Sequence, residues 1–223
     1  MYIGRIMRTD LVTVGPETTL VEARDMLEEK DVSHLLVVDK KGKLAGVVSD
    51  RDLKKNWASP ATALSAHELN YLLEKVELGM IMIKTVITAT PDTTIERAAY
   101  IMQTKSINSL PVQENEKLVG IITSSDVMEM LLMAIGMSES SIRISVFVSD
   151  NPGQLAKVTA VFKEANINIQ SLISWPIKER AGIIQLVMRI AGEDGAKAVI
   201  SLEKEGFKVA TKYLKDITPY LPD

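Results

Sequence analysis

A block of sequence occurs twice in this chain, and that duplication limits the available folds more than any other feature. Residues 4–37 match residues 79–112 at a constant offset of 75. Gly4, Ile6, Met7, Thr13, Pro16, Thr18, Thr19, Ala23, Lys30, Leu35 and Val37 recur as Gly79, Ile81, Met82, Thr88, Pro91, Thr93, Thr94, Ala98, Lys105, Leu110 and Val112. Average residue usage would give about two such identities by chance. The offset then becomes 74, and Lys43, Leu44, Gly46 and Asp52 recur as Lys117, Leu118, Gly120 and Asp126. The lost residue falls among polar positions between two apolar runs, where a hairpin turn can shorten harmlessly.

Each copy has the same local grammar. A Thr-Thr pair precedes a helix with Leu20, Ala23, Met26 and Leu27 at helical spacing. The apolar run Leu35–Val38 follows, then a turn at Lys40-Lys41-Gly42, then the run Leu44–Val48. Short apolar runs bounded by turns suit buried strands. A second helix begins near Ser49–Asp52. Each unit is therefore β-α-β-β-α, over residues 1–56 and 78–136, and each is too small to bury much surface alone. The two are expected to pack together. Residues 57–77 hold a breaker at Ser59-Pro60, a capping pattern at Ser65-Ala66-His67-Glu68 and an apolar stripe of Leu69, Leu72, Leu73 and Val76. They predict an inserted helix. The stretch Met128–Met133 predicts a core or dimer helix.

Past Gly136–Ser141 the grammar changes. Ile142–Val148 alternates as a strand, and Asp150-Asn151-Pro152-Gly153 is a strong turn signal. A helix follows through Leu155, Val158, Thr159, Phe162 and Ala165. Ile167–Ile169 with Ser171–Ser174, Gly182–Ile190 and Phe207–Tyr213 predict further strands, and Asp194–Lys204 a second helix. The order β-α-β-β-α-β over residues 142–215 is the ferredoxin-like unit. The fold class is thus α/β in the mixed, α+β sense.

Composition removes several functions. Net charge is −3, which gives no footprint for nucleic acid or for an anionic membrane. There is no cysteine, and His34 and His67 are the only histidines. Disulfide scaffolds, cysteine nucleophiles and His-rich metal sites are excluded. No apolar run is long enough to span a bilayer, and MYIGRIMRTD lacks the apolar core of a signal peptide. A soluble, cytoplasmic protein is expected. No nucleophile elbow, P-loop or paired-histidine zinc motif is present, which argues against an enzyme.

Gly46-Val47-Val48-Ser49-Asp50-Arg51-Asp52 and Gly120-Ile121-Ile122-Thr123-Ser124-Ser125-Asp126 both fit G-h-h-[ST]-x-x-D. With the β-α-β-β-α order, residues 1–135 resemble tandem cystathionine-β-synthase (CBS) domains, a Bateman module. The resemblance implies pseudo-twofold packing of the repeats and two clefts for adenosine-containing ligands such as AMP, ADP, ATP or S-adenosylmethionine. It implies that Ser49 with Asp52, and Thr123 with Asp126, hold ribose hydroxyls. A carboxylate accepting two hydroxyl protons, beside a hydroxyl that both donates and accepts, suits that task. The plainer reading is that both pairs only cap helices. Family members that hold phosphates often carry basic residues at the positions of Arg51 and His34, where the second repeat has Ser125 and Ser109, so unequal clefts are expected. Backbone groups around Val12-Thr13 and Ile87-Thr88 would read adenine edges by the same resemblance.

Asp150-Asn151-Pro152-Gly153-Gln154-Leu155, followed by Asn166-Ile167-Asn168-Ile169, resembles an ACT domain. The resemblance implies an amino-acid site on this loop where two sheets pair, involving Asp150, Asn151, Gly153, Gln154, Leu155, Asn168 and Ile169, or a loop that serves dimerisation alone. The order CBS-CBS-ACT is similar to acetoin-utilisation-type CBS/ACT proteins, which suggests regulation near acetoin or acetyl-coenzyme A metabolism. The expected molecule is a small-molecule sensor, a homodimer or higher, acting on an unidentified protein, with no resident cofactor and no metal. A ligand-free dimerisation adaptor and an enzyme are the alternatives.

Overall fold

Reciprocal capping boxes start two of the helices of the first half. Thr19 and Glu22 cap the N-terminus of helix α1 (Leu20–Glu29), and Ser49 and Asp52 that of α2 (Asp50–Asn56), each by an exchange of side-chain and backbone bonds. The computed structural model describes residues 1–57, 66–137 and 140–222 and divides into two units, Met1–Val127 and Met128–Asp223. The breaker at Ser59-Pro60 and the cap at Ser65 lie outside the described residues.

In the first repeat, β1 (Thr13–Val14) pairs parallel to β2 (His34–Val38), which pairs antiparallel to β3 (Leu44–Ser49). The inserted helix α3 (Ala66–Leu73) is followed by a short helix α4 (Leu78–Ile81). The second repeat has α5 (Ile95–Lys105), β4 (Ser109–Glu114), β5 (Lys117–Thr123) and α6 (Ser124–Ala134). Its counterpart of β1 shrinks to a single parallel bridge, Ala89 to Val112. The reason is one residue. In the first repeat the Leu36 N–H donates to the Val12 carbonyl at 3.2 Å. The matching position in the second is Pro111, which has no N–H to give.

The leading segments of the two repeats are exchanged. The Arg8 backbone bridges Ile121 on β5, and Ile83 bridges Val47 on β3, the equivalent pair. Ile3 N–H donates to Thr93 C=O while Leu78 N–H donates to Thr18 C=O, both at 2.9 Å. Leu78, fully buried, joins the core of the first repeat with Leu20, Leu35, Val37, Val48 and Leu53. This reciprocity accounts for much of the repeated sequence. A Cβ on Gly46 would lie 2.5 Å from the Met82 sulfur, and one on Gly120 would lie 2.4 Å from the Met7 sulfur. The recurring glycines make room for the recurring methionines of the other repeat.

Two expectations fail here. Leu73 and Val76 reach the first repeat's core, but Leu72 is half exposed, because neighbouring helix positions lie about 100° apart and Leu73 takes the core-facing one. Of the two readings for helix α6, core or dimer, the structure removes the first. Of its residues only Val127 is buried, and Met128, Leu131, Leu132 and Met133 are exposed. Its apolar residues occupy successive positions, so they spread around the cylinder rather than form one stripe.

The second unit contains β6 (Ser141–Ser149), α7 (Gln154–Glu164), β7 (Ser171–Pro176), β8 (Ile183–Ala191), α8 (Gly195–Lys204) and β9 (Val209–Ala210). The sheet order β7-β8-β6-β9 is the ferredoxin-like one. Even-numbered residues of β6 and β8, with Leu172, pack against the two helices; Ile144, Val146, Leu186, Met188, Ile190, Val158 and Phe162 form this core. The last strand is two residues long rather than the seven expected, and Ile167–Ile169 precede β7 as a loop, in which Ile167 is buried. Among the described residues no helix is long and apolar enough to cross a membrane.

Candidate functional site

The exchange of leading segments decides what meets at each cleft. The Ser49–Asp52 box of the first repeat faces the segment Ile83–Ile87 that leads the second. The Thr123 box of the second repeat faces Arg8–Val12, which leads the first. Each cleft is thus built from both repeats.

Cleft A has a volume of about 220 Å³ and is lined by His34, Ser49, Arg51, Asp52, Lys55, Thr85, Ile87, Asn108, Ser109 and Pro111, with Val47, Ile83, Val86, Ser106 and Ile107. Asp52 Oδ2 accepts the Ser49 N–H at 3.0 Å and the Ser49 hydroxyl at 2.5 Å, and the Asp52 N–H donates to Ser49 Oγ at 3.3 Å. Capping is therefore real. It leaves Asp52 Oδ1 without a hydrogen-bond partner among the described residues, at the wall of the cleft. Asp50 pairs with Lys54 at 2.6 Å, which leaves Arg51 free of it. Lys55 stands one helical turn after Arg51, so α2 presents two cations to the same cavity. Because Pro111 donates nothing, the Ile87 carbonyl accepts no hydrogen bond among the described residues. It is an open acceptor on a residue that lines the cleft.

Cleft B, about 280 Å³, is lined by Arg8, Asp10, Val12, Asp31, Ser33, His34, Leu36, Asn108, Thr123, Ser124 and Ser125, with Val32 and Ile121. Thr123 and Asp126 repeat the box, at 2.8, 2.6 and 3.3 Å. Here the second oxygen is engaged: Arg8 Nε lies 3.4 Å from Asp126 Oδ1. The Val12 carbonyl is also taken, by Leu36. With Asp10 and Asp31 on its wall, this cleft is acidic where cleft A is basic.

Of the expected residues, Ser49, Arg51, Asp52 and Ile87 come together in cleft A, and Val12 and Thr123 in cleft B. His34 lines both. Thr13, Thr88 and Asp126 line neither: Thr13 is a strand residue paired with Leu36, only its neighbour Val12 reaches the cavity, and Asp126 is engaged by Thr123 and Arg8. Lys55 and Arg8 were not anticipated. Lys55 was readable from its spacing to Arg51; Arg8 was not, because it serves the cleft of the other repeat.

His34 Nδ1 is buried without a partner. Burial holds the imidazole pKa below its ordinary 6.5, against the opposing pull of the Asp52 charge. The folded protein thus keeps His34 neutral at a pH where the unfolded chain has already bound a proton. Stability contributed by the neutral ring is full above about 6.5 and is lost as pH falls through the window between that value and the lower folded pKa. Thermal unfolding followed from pH 7.5 to 5.5 should show this acid loss reduced in His34→Gln; an unchanged slope would remove the histidine from it.

In the second unit, Gly153 adopts φ +90° at the start of α7, a conformation glycine takes without strain, and no side chain caps that helix. Asp150 N–H donates to Gly182 C=O at 2.8 Å. Asn151, Leu155 and Asn168 are exposed, while Ile169 packs on the core. Only Gln154 of the seven expected residues lines the adjacent cavity of about 220 Å³, with Phe207, Lys208 and Tyr220–Pro222. Most of the loop is thus left open on its exposed side.

Comparison with known proteins finds two kinds of domain in the chain. A family model described as the CBS domain matches residues 3–59 and 78–133, half of the chain, and the ACT-domain model matches residues 142–205. A homoserine O-acetyltransferase from Methanohalobium evestigatum is 33% identical over 131 residues, 58% of this chain but 24% of that protein. The chain therefore spans about a quarter of that relative's length. A CBS-domain-containing protein from Agrobacterium tumefaciens is similar in structure, with 26% identity over 59% of this chain and 99% of that one and a TM-score of 0.51. The CBS domain of a membrane protein from Sphaerobacter thermophilus is 27% identical over 59% of this chain and 88% of that one, with a TM-score of 0.50.

Proposed function

Because this chain belongs to the CBS-domain family, carrying two CBS domains and then an ACT domain, we propose that it is a regulatory sensor of adenine nucleotides rather than a catalyst. The observation that carries the reading is cleft A. A carboxylate oxygen, an unclaimed backbone carbonyl and two cations converge there on one cavity. In this reading Asp52 Oδ1 accepts ribose hydroxyls, the Ile87 carbonyl accepts from an exocyclic amine, and Arg51 with Lys55 holds phosphate.

The opposite charge of cleft B favours a different ligand. Asp10 and Asp31 repel phosphate, and Arg8 is already paired with Asp126. We assign this cleft to an uncharged or cationic adenosyl compound such as adenosine or S-adenosylmethionine. In the ACT domain, the exposed Asp150–Leu155 loop suits an amino acid once a second copy completes it in an isologous dimer. Its Asp150 or Asn151 would take the ammonium and the uncapped start of α7 the carboxylate. The similarity to acetoin-utilisation-type proteins supports placing the regulated partner near that metabolism.

Isothermal calorimetry with AMP, ADP, ATP, adenosine and S-adenosylmethionine tests the reading. Phosphate-bearing ligands should bind at micromolar strength, about −8 kcal/mol. No heat with any of the five would overturn the sensor and leave the ligand-free adaptor.

A further inference from the structure

The ACT sheet carries a second cavity on the face opposite its helices, about 320 Å³ in volume and sharing no lining residue with the cavity beside the Asp150–Leu155 loop. The strand register sets its walls. Arg143 on β6 lies directly opposite Arg189 on β8, which lies opposite Ser171 on β7. Two residues along, Val187 and Ile173 make an apolar floor. Two further along stand Gln185 and Trp175, the indole being 60% exposed.

Two like charges directly opposed across a sheet disfavour the pairing unless something neutralises them. Among the described residues nothing does so. Arg189 donates to the Ser141 hydroxyl at 2.7 Å and to the Met137 sulfur at 2.9 Å, both uncharged. Arg143 has no ion pair or hydrogen bond among the described residues, and no carboxylate lines the cavity. The site therefore offers two uncompensated guanidiniums at one end, an apolar floor, and an exposed aromatic ring at the other end. From the arginine row to the tryptophan row is four residues, about 13 Å of strand, which the reach of the arginine side chains shortens to the length of an aryl acid.

We propose that this face binds a small aromatic carboxylate, its anion held by Arg143 and Arg189 and its ring lying on the Val187–Ile173 floor against Trp175. Bidentate guanidinium–carboxylate pairing supplies the orientation and the ring burial supplies the rest. The absence of any acidic wall selects against ligands that also carry an ammonium, which separates this site from the amino-acid loop. A second copy is a poor occupant, because two such faces would bring four guanidiniums together with no carboxylate between them. The inference stands independently of the nucleotide clefts.

The chain has two tryptophans, so the Trp57→Phe variant of the full protein leaves Trp175 as the only indole. Its emission is followed during titration with phenylacetate, with 2-phenylethanol as the uncharged analogue and with phenylalanine as the zwitterion. Phenylacetate should give a saturable change, and the other two should bind about tenfold more weakly or worse. Arg143→Gln, at an exposed position, should weaken phenylacetate by a similar factor and leave 2-phenylethanol unchanged; Arg143→Lys should recover part of the loss. No saturation, or equal affinity for acid and alcohol, would overturn the proposal. So would sedimentation showing that Arg143→Gln or Trp175→Ala dissociates a dimer, which would make this face an interface between copies.

Discussion

Replacing Leu78 by alanine should destabilise the protein by about 2–5 kcal/mol, the range for removing a buried leucine. The diagnostic part is where the loss falls. Leu78 begins the second repeat in sequence but fills the core of the first. Hydrogen exchange should therefore rise in α1, β2 and β3 before it rises in β4 and β5. Chemical denaturation measures the magnitude, and exchange read by mass spectrometry the location. Loss of protection confined to the second repeat would show that the exchanged segments contribute little to holding the pair together.

Asp52→Ala should weaken AMP by about 1.5–3 kcal/mol, roughly 10- to 150-fold, as expected when hydrogen bonds to a charged group are removed. Asp126→Ala should leave AMP at cleft A nearly unchanged and act on the ligand of cleft B. Arg51→Ala separates phosphate from ribose: it should weaken AMP more than adenosine. Calorimetry reads all three. Part of the Asp52 effect could arise from loss of the α2 capping box, so Ser49→Ala supplies the comparison, since it removes the cap while keeping the carboxylate. Equal losses for Asp52→Ala and Ser49→Ala would reduce the aspartate to a helix cap, and equal losses of AMP and adenosine in Arg51→Ala would remove that residue from the phosphate.

The sequence revealed the parts whose information is local. Ser49 with Asp52 is a capping pattern with a defined spacing, and it forms, as does the helix start that the Thr18-Thr19 pair marks. Alternation along β6 correctly picks out the helix-facing residues, although Ser145 and Phe147 on the other face are buried as well. What periodicity cannot state is which partner an apolar residue meets. Gly46 and Met82 both recur across the repeats, yet nothing in either copy says that they touch. The same blindness hid Arg8, whose cleft belongs to the other repeat's motif. At α6 the run of Met and Leu allowed a core or a dimer helix, and exposure of Met128, Leu131, Leu132 and Met133 removes only the core reading. Pro111 was the most informative residue passed over, because its missing N–H both dissolves a strand and frees the Ile87 carbonyl.

The exchanged leading segments also bear on how the protein is made. A ribosome releases the first repeat well before residues 76–83 have left the exit tunnel, and those are the residues that close it. Until then β3 presents a bare edge at Val47, and the pocket for Leu78 is empty. The first repeat must wait, half-finished, through the synthesis of the inserted segment. In a cell with many nascent copies, a leading segment from a neighbouring chain fits the same edge. The residues between the repeats thus set a delay, and during that delay each chain's own second repeat competes with its neighbours'.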